Sequence, residues 1–266
     1  MSAHTLGSAR PTGPDPAHAP GASVEAVLPA PEPPPVVLHR PTPPAVALAV
    51  AGLLFALFPV LRPFAADAAG LTAADGWSSP AWLVAHLCAI VGYVAAGFGV
   101  LGLRDALAGF LGGRVAGAAL AVWWAGAGLV LAALGAEAFG LGTLGDWIER
   151  TRQFDLVALG GALDHGQPRF GLHLAGLALL GVAGVLVALA VLRSDAMPPG
   201  AGVLFGLAFV AAPVQLVAPT WVQVLLGIVT ALGCLVLALQ LRRLGAPVTV
   251  ATEEAAGDDG LDDPDA

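Results

Sequence analysis

A chain of 266 residues that is 57% hydrophobic and 11% charged, with a mean hydropathy of +0.82, lacks the make-up of a soluble globular protein, where about a quarter of residues are charged. The formal charge of −8 comes largely from Glu253, Glu254, Asp258, Asp259, Asp262, Asp263 and Asp265 at the carboxyl end, so no acidic binding face is implied. All eleven basic residues are arginine and they are scattered, which leaves no nucleic-acid footprint, and without lysine a P-loop ATPase is excluded.

Residues 1–44 are dense in proline from Pro11 to Pro44. Such a stretch forms no helix and builds no core, so a disordered cytoplasmic tail with extended polyproline character is expected. Its expected role is a spacer, with Glu32-Pro-Pro-Pro35 as an alternative ligand for a proline-binding module. No charged-then-apolar leader precedes residue 44, so insertion is expected to use the first membrane helix.

Six apolar stretches then follow: Ala45–Arg62, Ala81–Leu103, Val115–Leu141, Gly171–Leu192, Gly200–Ala218 and Trp221–Leu241. Each is roughly 18 to 27 residues, enough at about 1.5 Å per residue to cross a hydrocarbon layer of about 30 Å. Backbone amides cannot stay unpaired in lipid, so these segments are predicted helices. The expected fold is an all-α, polytopic transmembrane bundle over residues 45–243, followed by an acidic disordered cytoplasmic tail over 244–266. Spans two to five are expected to make a four-helix core, with spans one and six packed outside it.

Glycines in spans two to four, including Gly97, Gly126, Gly128, Gly176 and Gly184, let helices approach closely in lipid. Cys88 and Cys234 fall at different depths and are expected to be free thiols. Trp77-Ser78-Ser79-Pro80 reads as a turn and helix cap. The outer loop, residues 142–170, opens on Thr143-Leu-Gly-Asp146, which resembles a capping box. With Leu144, Trp147, Ile148 and Thr151 on one side, it predicts a short interfacial helix ending by Gly160-Gly161.

A repeat is visible. Pro80-Ala-Trp-Leu-Val-Ala-His86 with a later Arg104-Asp105 parallels Pro168-Arg-Phe-Gly-Leu-His173 with a later Arg193-Ser-Asp195. Each copy leads into a second span, bearing Glu137 or Gln215. Spans two and three would then repeat as spans four and five, in parallel.

Arginine counts near the span ends favour a cytoplasmic location for both termini. Trp77, Trp82, Trp147 and Trp221 read as anchors at the opposite interface. His86, Glu137, His173, Gln215 and Gln223 then all fall in the outer third of the bilayer, where polar groups mark a cavity or a site. Three readings stay open: hydrogen bonds between helices, a polar pocket for a small ligand or proton, and a metal or haem site held by His86, His173 and Glu137. Arg62 is read as an interfacial arginine, with Asp67 and Glu137 as alternative partners. Asp164-His165 is read as solvated.

The Trp82-x-x-x-His86 helix opening after an Asp-bearing outer loop, the glycine-rich spans and the second, His173 helix resemble uncharacterised six-span integral membrane proteins of GC-rich bacteria. The resemblance covers residues 45–243 and implies a helical bundle in the bacterial plasma membrane, with no assigned activity. The function expected is non-enzymatic binding of a lipid, small molecule or partner protein through the outer pocket. The alternatives are a small proton-coupled transporter acting as an oligomer, or a metal or haem protein of the outer leaflet. No cofactor is expected. The expected partners are the lipid bilayer and either further copies of the chain or another membrane protein.

Overall fold

The computed structural model describes residues 42–63, 71–164 and 166–244. Most of both tails, Asp67 and His165 lie outside the described residues. Six helical stretches are long and apolar enough to cross a membrane: Pro43–Leu61, Pro80–Ala106, Gly113–Thr151, Leu156–Leu192, Pro199–Leu216 and Thr220–Leu244. The elements are α1 (Thr42–Leu61), α2 (Leu71–Trp77), α3 (Pro80–Ala106), α4 (Gly113–Gly135), a π-helical turn (Ala136–Leu141), α5 (Gly142–Thr151), α6 (Leu156–Asp164), α7 (Gln167–Leu192), α8 (Pro199–Ala211), a 3₁₀ turn (Ala212–Leu216) and α9 (Thr220–Leu244). Among the described residues there is no strand.

The long helices pack in chain order, α1 on α3, α3 on α4, α4 on α7, α7 on α8 and α8 on α9, and α9 returns to α1. The result is a closed ring. The first and last spans are therefore part of it, not packed outside a four-helix core. Leu48 and Ala51 of α1 and Cys234 and Leu237 of α9 are as deeply buried as any residue of the inner helices. Small residues explain the closure. A Cβ added to Gly52 would stand 2.9 Å from the Ala231 carbonyl oxygen, and one on Gly227 would stand 2.8 Å from that of Phe55. Contacts this close need a residue with no side chain.

Aromatic rings fill the middle of the ring. Phe55 of α1 meets Tyr93 of α3 edge-on at 4.9 Å, and Phe209 of α8 meets Trp123 of α4 at 4.8 Å. The Trp123 indole donates to the Tyr93 carbonyl at 3.3 Å, so its polar atom is paired in an apolar core. Cys88 and Cys234 are both free thiols.

The loops are more helical than expected. Residues 71–77 form α2, which packs on α5. Ser79 caps α3, accepting from the Ala81 amide at 3.2 Å. Thr143 caps nothing, because α4 runs through the π turn into α5 without a break and leaves no orphan amides there. α5 stops at Arg152, whose φ of 56° is left-handed, well before Gly160-Gly161, and those glycines lie inside the separate helix α6. Ile148 of α5 is buried, but Trp147 is not, so the packed face is narrower than the apolar pattern suggests. Trp77 and Trp82 are buried as well, leaving Trp147 and Trp221 as the exposed tryptophans at this end.

Candidate functional site

Alternating helix directions bring the ends of α1, the π turn and the 3₁₀ turn together with the starts of α3, α7 and α9. A cavity of about 970 Å³ occupies this end of the ring. Phe55, Phe58 and Phe209 give it apolar walls, and Ala73, Trp77 and Val157 reach it from α2 and α6. Trp77, Trp82 and Leu141 pack together as a small core of their own, which ties α2 to α3 and to the π turn.

Glu137 is at the centre of the chemistry. It sits in the first turn of the π-helical segment, a backbone irregularity that recurs at functional sites. Its carbonyl oxygen accepts from the Trp82 indole at 3.1 Å. Its carboxylate faces three basic side chains. Nε2 of His86 lies 3.0 Å from one oxygen, Arg169 forms an ion pair with the other, and Nδ1 of His173 is 3.8 Å from that second oxygen. Arg169 and His173 stand one turn apart at the start of α7, so they share a helix face. All of this is secluded: His86 is 0% exposed, Glu137 8% and His173 7%.

The His86 ring has a defined protonation geometry. Its Nδ1 is 2.8 Å from the Trp82 carbonyl, which can only accept, so Nδ1 carries a hydrogen. Nε2 and the Glu137 oxygen would then face each other with lone pairs unless a proton lies between them. The pair therefore holds one proton, as imidazolium with carboxylate or as neutral imidazole with carboxylic acid. Trp82 also packs on His86 with the rings tilted by 44° and their centroids 4.1 Å apart, and Phe58 meets it edge-on at 5.7 Å.

Of the five side chains that the sequence singles out, Glu137, His173, Gln215 and Gln223 line the cavity. His86 lies behind Glu137, outside the lining. Gln223 donates to the Ala218 carbonyl at 2.9 Å, which braces the turn between α8 and α9. Among the described residues, no group of three His, Cys, Asp or Glu is placed to hold a metal ion. The Glu137 carboxylate is engaged by Arg169, and Nε2 of His86 is turned to Glu137, so two imidazoles do not face each other across the cavity.

Three further cavity residues stand outside those five. Arg169 stands beside Glu137 as its ion-pair partner. A signal for it exists: a carboxylate at membrane depth needs a cation, and Arg169 precedes His173 by one helical turn. Arg62 lies over the Trp82 ring, 5.4 Å from its centroid. The third is Trp77, which is 3% exposed and whose indole N–H has no hydrogen-bond acceptor among the described residues. An N–H buried in that way costs about 1–3 kcal/mol. No known protein family, curated protein or solved structure matches this chain.

Proposed function

We propose that this multi-pass membrane protein binds a small amphiphile, a lipid or another small molecule, in the cavity at the Glu137 end of its ring. The observation that carries the reading is the cavity itself. Interiors are close-packed, yet here about 970 Å³ is left open beside a secluded ionic cluster and within aromatic walls. That volume is at the upper end of ordinary ligand sites, which run to about 1,000 Å³. The reading also places the cavity in the outer leaflet of a bacterial plasma membrane, with both termini cytoplasmic, on the strength of the arginine distribution.

One finer point belongs to the same reading. Spans α3–α4 and α7–α8 are two copies of one helix pair, supported by His86 and His173 both reaching Glu137 from the starts of their helices. Proton-coupled transport by an oligomer is the second reading, favoured by the proton that His86 and Glu137 share at the cavity wall.

Ala212 lines the cavity from the 3₁₀ turn, and Ala212→Trp would project an indole into the free space and obstruct it. Protein purified in mild detergent and examined by native mass spectrometry is expected to retain a bound amphiphile that the variant lacks, with helix content unchanged. Wild-type protein free of any such adduct after purification from native membrane would count against the reading.

A further inference from the structure

The cavity is walled unevenly. Residues that line it from α1, α3 and α4, among them Phe55, Pro59, Ala89 and Leu134, are buried, with protein behind them. Another part of the wall is thinner. From Val210 to Leu232, through the 3₁₀ turn and the first half of α9, no residue is buried, although Gln215, Leu216, Val217 and Gln223 all line the cavity. This stretch is a single layer of chain. Val214, Leu225 and Ile228 are exposed on it without lining the cavity, so they face outwards. Both helices belong to segments apolar enough to cross a membrane, and what these side chains meet is hydrocarbon. The backbone is weak at the same place, since a 3₁₀ turn has poorer hydrogen-bond geometry than an α-helix and Pro213 has no amide to donate. The other edge of α9 is sealed, because Gly227 fits against Phe55 and Pro59 of α1. The loose seam is therefore the one between the 3₁₀ turn and α9. At the end of the ring, by contrast, α2 and α6 close together, and Gly160 has no room for a side chain against the Trp77 ring.

Resting on the reading of the cavity as an amphiphile site, we infer that its ligand enters sideways from the bilayer, between the 3₁₀ turn and the start of α9, and is a molecule dissolved in lipid. Trp221 at the start of α9 is 70% exposed and holds this seam near the head groups. An amphiphile in the leaflet already has its polar end at that depth and its apolar body beside Val214 and Leu225. Passage through the seam keeps each part in surroundings like those it leaves. The polar end meets Gln215, Thr220 and Gln223, and the apolar body exchanges acyl chains for Phe55, Phe58 and Phe209. Entry from water would instead take that body out of lipid and require α2 and α6 to part. A water-soluble polar molecule has no path through the seam, because it would have to enter hydrocarbon without hydrogen-bond partners.

The test uses the full chain in phosphatidylcholine nanodiscs, with Cys88→Ser and a reporter thiol, Ala89→Cys. Ala89 lines the cavity from α3, across the ring from α8. Two thiol reagents serve as probes: decyl methanethiosulfonate, which dissolves in the bilayer, and a trimethylammonium-ethyl methanethiosulfonate, which stays in water. Intact-mass spectrometry reads the rate of each, and the Cys88→Ser chain alone gives the background. The decyl reagent is expected to label the Ala89→Cys variant roughly tenfold or more faster than the charged one, and decanol should slow it by competition. Because the bilayer concentrates the decyl reagent, blocking variants decide the path. Val217→Trp, at the seam, should slow decyl labelling by roughly tenfold, whereas Ala158→Trp, on α6, should leave it unchanged. Val217 is 79% exposed, so the indole displaces no packed neighbour. Gln223→Leu removes the bond that holds the turn and should speed the labelling. Faster labelling by the charged reagent, slowed by Ala158→Trp and not by Val217→Trp, would overturn the lateral path and leave a cavity filled from water. If neither reagent reached the thiol in a chain of unchanged helix content, the cavity reading itself would fall.

Discussion

Glu137 is a carboxylate in a place where an unpaired charge costs several kcal/mol, and its neighbours are arranged to meet that cost. Arg169 supplies the opposite charge, His86 a shared proton, and the Trp82 indole satisfies the Glu137 carbonyl. Such a pair adds little net stability over an apolar one, but removing one partner leaves the other exposed to low dielectric. Glu137→Gln is therefore expected to destabilise the fold by about 3–5 kcal/mol. In the double variant Glu137→Gln with Arg169→Gln the loss should be smaller than the sum of the single losses by about 1 kcal/mol or more. Reversible unfolding in mixed micelles would measure both, and simple additivity would show that the ion pair is not what holds Arg169. The sequence points to Glu137 and His86 because an ionisable side chain is rare at membrane depth. Its signal for Arg169, one helical turn before His173, is weaker, since arginines at helix starts look alike whether they meet lipid head groups or a buried acid.

The helices report how much close approach matters, and Gly126 and Gly128 make the cleanest pair. A Cβ on Gly126 would stand 2.9 Å from the Gly176 carbonyl oxygen on α7, whereas one on Gly128 would meet nothing within 4 Å. Both glycines are in α4, two residues apart, hence about 200° apart around the axis at 3.6 residues per turn. One of them has to face away from any given partner, and helical geometry alone makes that much legible in the sequence. Gly126→Ala must push α4 and α7 apart and is expected to lower stability by about 1–3 kcal/mol. Gly128→Ala should be neutral, or stabilising by up to about 1 kcal/mol, because alanine favours the helical backbone. Thermal unfolding of the two variants in the same detergent decides it, and equal losses would mean that the α4–α7 contact is looser than these distances imply. The short helices are the hardest elements to read. Thr143 and Asp146 have the spacing of a cap, but a π turn carries the chain past them still helical. Nothing in local composition announces a π turn, because it answers to the packing of its side chains.

For the whole molecule, the number of spans and their apolar character can be read from the sequence, because lipid leaves helices as the only option for such segments. The circular order is less accessible. Short connections make α3–α4 and α8–α9 neighbours, but closure of α1 on α9 joins the two ends of the membrane domain. The clue to it, Gly52 and Gly227, is two glycines in spans where glycine is sparse. The closure matters for function, since α1 and α9 supply one wall of the cavity through Phe58, Pro59 and Leu226. It also makes a covalent prediction. A Cβ on Gly52 would stand 3.1 Å from the Cβ of Cys234, slightly inside the usual disulfide range of about 3.5–4.5 Å. Gly52→Cys in a Cys88→Ser background, with a shift of a few tenths of an ångström to clear the Ala231 carbonyl, should therefore form an intramolecular disulfide with Cys234 on oxidation with copper phenanthroline in the membrane. The cross-linked chain should run faster on a non-reducing gel, and a cut between α5 and α6 should not separate its halves until reductant is added. A thiol at Gly52 that stays reduced, or that links two chains instead, would place α1 away from α9. The ring would then be open on the side where the cavity needs its wall.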